Sequence, residues 1–272
     1  MKNEVSENGT TERTNQLTLA TVTKALDILE LFSDAETDLS LTKISIAIHL
    51  PKSSVFRYLA TLESRGYLER DADTEQYHIG PTIIRLGALA TRRVDVGPLA
   101  ETLMWQLRDM YGETVNRAIL AGNKMVYVEV VESYHAIKLA AKVGADDLLH
   151  TSSLGKAVLA IMSDLQLKRL MAMPLIRLTE HTITDWPTLL RELAEVRKRG
   201  FAIDDRESDA QVICVGSAIL DHNGKAVAAI SISGPADRFG KARAMEAGTA
   251  VREAAQTLSR QLGYDPGRQE AR

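Results

Sequence analysis

Alternation along residues 226–233 puts Ser231 and Ser233 on one face of an expected strand, with Ile230 and Ile232 on the other. Two hydroxyls therefore look the same way. On a second expected strand, residues 212–220, Val212 and Cys214 share a face. Asp204 ends a third, residues 201–204, after Phe201 and Ile203 have gone to the opposite side. Ser153 lies where a helix begins, so the amides of Leu154 and Gly155 stand at its positive end and can meet a carboxylate. Helix-start donors, two hydroxyls, a carboxylate acceptor and an apolar lining compose a pocket for a small polar acid. The same residues also read as turn-flanking serines, a buried cysteine and a capping serine that need no ligand.

A second constellation is the run Pro51-Lys52-Ser53-Ser54-Val55-Phe56-Arg57-Tyr58-Leu59. Val55, Leu59 and Leu62 fall on one helical stripe, while Lys52, Ser53, Ser54 and Arg57 lie mainly off it. Short hydroxyl and cationic side chains at the start of an exposed helix suit a major groove, where phosphates and base edges need donors with little bulk between them. The expected DNA-contacting set is Lys43, Lys52, Ser53, Ser54, Phe56, Arg57 and Arg70. Acids at Asp71, Asp73 and Glu75 keep the tip of the following hairpin off the phosphates, and Arg70 contributes at its base. Arg92 and Arg93 read equally as phosphate contacts or as surface charge.

The elements that position these residues follow from periodicity. Val22, Ala25, Leu26, Leu29 and Phe32 make the apolar stripe of a first helix. Ser40 caps a second, and Pro51 opens a third that Gly66 stops. Residues 67–70 and 76–79 read as a hairpin, which after three helices is a wing. A helical stretch over residues 81–111 is interrupted at Gly97-Pro98, where the domain boundary falls. Beyond it strands are expected at 115–121, 124–131, 137–141, 201–204, 212–220 and 226–233, and helices at 154–162, 187–199 and 241–262. The expected fold class is α+β, with a winged helix-turn-helix followed by a domain built on a mostly antiparallel sheet.

The chain has 272 residues, 45% hydrophobic and 25% charged, with a formal charge of -3, so any polyanion-binding surface is local rather than global. One cysteine excludes an internal disulfide or a thiolate metal cluster and fits a reducing cytoplasm. The polar residues 1–16 lack a signal-peptide apolar core and read as a floppy tail. The longest apolar stretches fall far short of the roughly twenty residues that span a bilayer. Leu154-Gly155-Lys156 fails as a phosphate loop, because His150 stands where glycine is required and Ala157 where Ser or Thr is. Neither H-E-x-x-H nor G-x-S-x-G occurs, and His150 reads as a structural histidine. No cofactor and no metal are expected.

From about Thr18 to Gly263 the chain resembles the IclR family of bacterial transcription regulators. The stretches that carry the resemblance are Ala25-Leu26-Asp27-Ile28-Leu29-Glu30, Leu50-Pro51-Lys52-Ser53-Ser54-Val55-Phe56-Arg57, His150-Thr151-Ser152-Ser153-Leu154-Gly155-Lys156-Ala157, Gly200-Phe201-Ala202-Ile203-Asp204-Asp205 and Ala229-Ile230-Ser231-Ile232-Ser233-Gly234-Pro235. The resemblance implies a winged helix-turn-helix at 17–80, a linker helix at 81–97 and a GAF-like effector-binding domain at 98–265, with tails at 1–16 and 266–272. It implies a small organic-acid effector contacted by Ser153, Leu154, Asp204, Cys214, Ser231 and Ser233, with Leu139 and Val212 as apolar walls. It also implies dimers or tetramers on operator DNA. Lys43 stands where the family usually has an acid, Gln211 where glycine is common and Ala218 where proline is common. Leu154 exceeds the small residue often found there, which implies a narrower or more apolar cavity.

The expected function is a cytoplasmic transcription regulator whose operator binding responds to a small acid, not an enzyme and not a membrane protein. The alternatives are a small-molecule hydrolase using Asp204 or Cys214 beside an N-terminal interaction module, and a nucleoid-type DNA binder without an effector.

Overall fold

The computed structural model of the chain describes residues 19–32, 36–91, 97–139 and 141–265. The two expected tails, together with Arg92 and Arg93, lie outside the described residues. The chain divides into two compact units, Met1–Arg93 and Val94–Arg272.

The first unit contains α1 (Ala20–Leu29), α2 (Leu41–Ala47), α3 (Lys52–Ser64), the antiparallel hairpin β1 (Leu68–Arg70) and β2 (Tyr77–Ile79), and α4 (Pro81–Thr91). Its core is Ile28, Leu39, Ile44, Ile48, Val55, Leu59, Leu62, Leu68 and Tyr77. The first helix departs from the expected stripe. Ile28 is its buried centre, Ala25, Leu29 and Phe32 pack around it, and Val22 and Leu26 are exposed. The Ser40 side chain accepts from Lys43 N at 3.3 Å, capping α2. The turn into α3 is held by Ser45, whose Oγ donates to Leu50 O at 2.6 Å while Leu50 N donates back to Ser45 O at 3.2 Å. Leu39 bridges Tyr77 in antiparallel fashion, adding a third short rung to the wing.

The second unit contains α5 (Gly97–Tyr111), β3 (Thr114–Ala121), β4 (Lys124–Val131), β5 (Asp146–Leu148), α6 (Ser153–Ile161), α7 (Asp164–Leu170), α8 (Trp186–Arg199), β6 (Ala202–Asp205), β7 (Val212–Leu220), β8 (Ala226–Pro235) and α9 (Lys241–Gln261). Its six strands run in the order β5-β4-β3-β8-β7-β6, every pair antiparallel. One face packs Val215, Ile230 and Ile232 against Met104 and Leu107 of α5 and Val251 and Leu258 of α9. The opposite face packs Met125, Ala202 and Ala229 against Leu154 and Val158 of α6 and Leu189 and Leu193 of α8. The fold is α+β, with an N-terminal helix-turn-helix and a C-terminal antiparallel sheet flanked by helices.

Two elements differ from the sequence reading. No strand forms over the described part of 137–141, where Ile137 is exposed; the edge strand is the shorter and more polar β5. Helix α7 was not anticipated, although Ser163 and Gln166 close a reciprocal capping box at its start.

Candidate functional site

In the first unit, α3 buries Val55, Leu59 and Leu62 and leaves Lys52, Ser53, Phe56 and Arg57 exposed, with Ser54 half-buried. Arg57 and Ser54 line a polar cleft with Thr21, Tyr58 and Thr61, three residues the sequence reading did not select. The other two expected cations are already engaged. Lys43 Nζ lies 2.8 Å from Glu36 Oε1, and Arg70 Nη2 lies 2.9 Å from Glu75 Oε1, so each carries a compensating carboxylate. Lys52 and Arg57 have no ion pair to a described residue, so the uncompensated charge sits on the exposed face of α3.

In the second unit, strand register assembles the other expected residues. Asp204 on β6 pairs with Cys214 on β7, Cys214 with Ser233 on β8, and Ser233 with Thr114 on β3. The next row along the same face is Ala202, Gly216, Ser231 and Asn116. Because side chains alternate, both rows face the layer that contains α6 and α8. Val212 continues the face beyond Cys214, next to Pro235. Leu139 reaches the end of the row through its backbone, whose carbonyl accepts from Thr114 Oγ1 at 3.5 Å.

Helix α6 closes the face. A Cβ on Gly216 would stand 3.0 Å from Ser153 Oγ and 3.1 Å from Leu154 N, so the bare glycine backbone is what lets the helix start lie on the sheet. The cap is Ser152 rather than Ser153: its hydroxyl accepts from Gly155 N at 3.1 Å. The Gly155 amide is therefore consumed, and the pair of free amides expected from the sequence reduces to the one at Leu154. The Leu154 side chain lies in the core beneath α6.

Asp204 is fully buried, and its carboxylate closes its own loop. Oδ1 accepts from Glu207 N at 2.7 Å and Ser208 N at 3.3 Å, and Oδ2 accepts from the Ser208 hydroxyl. Burial pushes its carboxyl up to about 6, against the opposing pull of Ser208 and Lys156. Lys156, also buried, donates to Ile203 O at 2.5 Å and to Glu207 Oε1. Burial outweighs that cation and raises the Glu207 carboxyl to about 7. The Cys214 thiol is pushed well above its ordinary value, by burial first and the neighbouring Asp204 second. Further along, Tyr127 donates its hydroxyl to Asp147 at 2.5 Å.

Two buried atoms on this face have no partner: Ser231 Oγ and Asn116 Oδ1. A buried polar atom without a partner costs about 1–3 kcal/mol, which a bound polar group would recover. The sequence reading missed Asn116 and Thr114, although both share the inward parity of β3 with Ala118. His150 lies 2.9 Å from Ile176 O through Nε2, and among the described residues no cluster of His, Cys, Asp and Glu is arranged to hold a metal.

Residues 21–72 match the family described as the IclR helix-turn-helix domain, and residues 88–260 that described as bacterial transcriptional regulator IclR C-terminal. The chain belongs to the IclR family of transcriptional regulators. Among IclR relatives it is 38% identical over 237 residues to the HTH-type transcriptional regulator BhcR of Paracoccus denitrificans, covering 87% of this chain and 85% of that one. It is 34% identical over 241 residues to the HTH-type transcriptional repressor AllR of Escherichia coli K12, covering 88% and 89%. The crystal structure of the Thermotoga maritima IclR superposes with a TM-score of 0.72 at 33% identity, over 90% of this chain and 99% of that one. An IclR homolog from Microbacterium hydrocarbonoxydans complexed with 4-hydroxybenzoate shares the fold, with a TM-score of 0.77 at 24% identity over 89% and 99%. Among the described residues no helix is long and apolar enough to cross a membrane.

Proposed function

We propose that this IclR-family regulator binds operator DNA through Lys52, Ser53, Ser54, Phe56 and Arg57, and that a small organic acid on the Asp204–Cys214–Ser233 face alters that binding. Lys43 and Arg70 contribute less, because each is ion-paired. The observation that carries the effector reading is the pair of unpartnered buried atoms, Ser231 Oγ and Asn116 Oδ1, beside a buried carboxylate and the Leu154 amide. A hydroxyl on the ligand donates to Asp204 and its carboxylate accepts from Leu154 N and Ser231. The complex of an IclR homolog with 4-hydroxybenzoate, a hydroxylated acid, supports this chemistry.

The domain limits we adopt are 17–80, 81–97 and 98–265, and the operating form is a homodimer or a pair of dimers. Exposed Leu19 at the N-cap of α1, Val22 and Leu26 on that helix, and Ile84 and Leu89 on α4 support association through the first unit. The hydrolase alternative has less support, because a thiol held neutral by burial is a poor nucleophile.

Footprinting on the DNA flanking its own gene, with and without hydroxy acids, tests the proposal. The expected result is a pseudo-palindromic protected stretch whose occupancy changes with the acid. Binding no tighter than to random duplex overturns the operator assignment, and occupancy indifferent to every acid overturns the effector.

A further inference from the structure

On the second unit a cleft of about 180 Å³ lies between the C-terminal ends of α6 and α8, the β7 edge beyond its pairing with β6, and α9. None of the residues expected to contact the effector lines it. Its polar lining is Arg197, Arg252, Gln256, Tyr264, Ser217 and Ser259, and no carboxylate among the described residues lines it.

Among the described residues each arginine makes one hydrogen bond, to a helix-end carbonyl. Arg197 Nε donates to Ala160 O at 2.7 Å, and Arg252 Nη1 donates to Arg199 O at 3.2 Å. Both are favourable cations at helix C-termini. That role leaves the rest of each five-donor guanidinium unexplained. Arg252 Nε is buried with no acceptor among the described residues, and neither arginine pairs with a described carboxylate. Arg252 is also built into place. A Cβ on Gly200, left-handed at φ 81°, would stand 2.5 Å from Arg252 Cδ, so the glycine that ends α8 also makes room for the arginine stem. Two guanidinium groups in one concave site with no counter-charge, and a buried donor without an acceptor, call for an oxyanion.

We propose that this cleft is a second ligand site that binds a small oxyanion, a phosphate or carboxylate group, between Arg197 and Arg252, with Gln256 and Tyr264 as neutral partners. The occupant ties the ends of α6 and α8 to α9. The other end of α6 carries Ser153 and Leu154, and the strand after α8 carries Asp204, so the anion braces the two elements that shape the sensor face.

Calorimetry at constant ionic strength, with inorganic phosphate in one arm and succinate in the other, tests the site and separates phosphate from carboxylate sources. The readout is paired with the ¹⁵N-detected arginine Nε–Hε resonances. Saturable binding of one anion per chain is expected, with a shifted Arg252 Nε–Hε signal. Arg197→Gln and Arg252→Gln should each weaken it at least tenfold, and Lys198→Gln, which removes a neighbouring cation outside the cleft, should leave it unchanged. Absence of saturable binding in both arms overturns the proposal, as does wild-type affinity in Arg197→Gln. Binding abolished by Ser231→Ala but retained by the arginine variants assigns the anion to the sensor face and also overturns it. If Arg252→Gln does not fold, the exposed Arg197 variant decides alone.

Discussion

Asn116 Nδ2 donates to Ser233 Oγ at 3.2 Å, and the bond is diagonal: in the register of β3 and β8, Asn116 stands opposite Ser231, and Ser233 opposite Thr114. Reaching past its direct neighbour, Asn116 satisfies its amide nitrogen and leaves both its own carbonyl oxygen and the Ser231 hydroxyl without partners. Diagonal pairs are the longer of the cross-strand contacts, so the choice is not forced by proximity. The centre of the sheet therefore holds unmet hydrogen-bonding capacity.

Ser231→Ala should separate stability from binding. Removing an unpartnered buried hydroxyl relieves the ligand-free chain of about 1 kcal/mol, read by urea denaturation. The same change should weaken the effector roughly tenfold by calorimetry, at the 1.4 kcal/mol that a factor of ten represents. A variant that loses stability without its ligand contradicts the assignment of that hydroxyl.

Asp204 predicts opposite pH behaviour for two ligand types. Its folded carboxyl, raised to about 6, is protonated at acid pH and ionised above that value. An acid lacking a hydroxyl needs the protonated form, so its affinity should fall roughly tenfold per pH unit above about 6. A hydroxy acid donates to the ionised form and should show no such loss. Asp204→Asn should flatten the first profile. Stability follows the same linkage. The burial penalty is absent while Asp204 is protonated in both states, and grows as pH rises from the ordinary carboxylate value of 3.8 to about 6. Glu207, raised to about 7, acts in the same direction.

Lys156→Met should destabilise the chain in chemical denaturation increasingly as pH rises above about 7, where it strands a buried carboxylate. Glu207 Oε2 already lacks a partner, so no alternative donor stands ready. Adding Glu207→Leu to the same chain should restore most of the loss. A single variant whose loss does not grow with pH would show that Glu207 is neutral in the folded protein.

On DNA, four alanine variants should fall into two classes. If each protomer of a dimer neutralises roughly five phosphates, the log-log salt slope is about -9. Lys52→Ala and Arg57→Ala should each reduce it by about 2. Lys43→Ala and Arg70→Ala should change it by less than half as much, since each also frees the carboxylate of Glu36 or Glu75. Equal slopes for all four would remove the ion pairs from the account.

Much of this was legible from the chain alone, where one physical rule governs the outcome. Period-two alternation on β8 gave the direction of Ser231 and Ser233, because Ile230 and Ile232 must enter the opposite core. Helical spacing gave the buried stripe of α3 for the same reason. The reading failed where tertiary partners decide. Ile137 and Leu139 alternate like a strand, yet Ile137 finds no core, while the loop-like Asp146-Asp147-Leu148 pairs as β5 because Lys124 holds Asp146 at 2.7 Å and Tyr127 holds Asp147. Ser152 and Ser153 are equally good caps by type, and only the structure picks the first. The Lys156–Glu207 pair spans 51 residues and leaves no local trace. The α7 capping box and the inward parity of Asn116 were readable signals that went unread.

The row that joins Thr114, Ser233, Cys214 and Asp204 draws one residue from each of four strands, and the faces of those strands alternate with a core on either side. Deleting or inserting a single residue within β7 or β8 would turn hydroxyls and thiol into the oily layer beneath α9 and bring isoleucines up in their place. Length polymorphism among descendants of this chain is thereby barred from the strands and diverted to connections such as the exposed turn at Asp221–Lys225. New specificities must arise by exchange of side chains on a frame whose spacing is frozen.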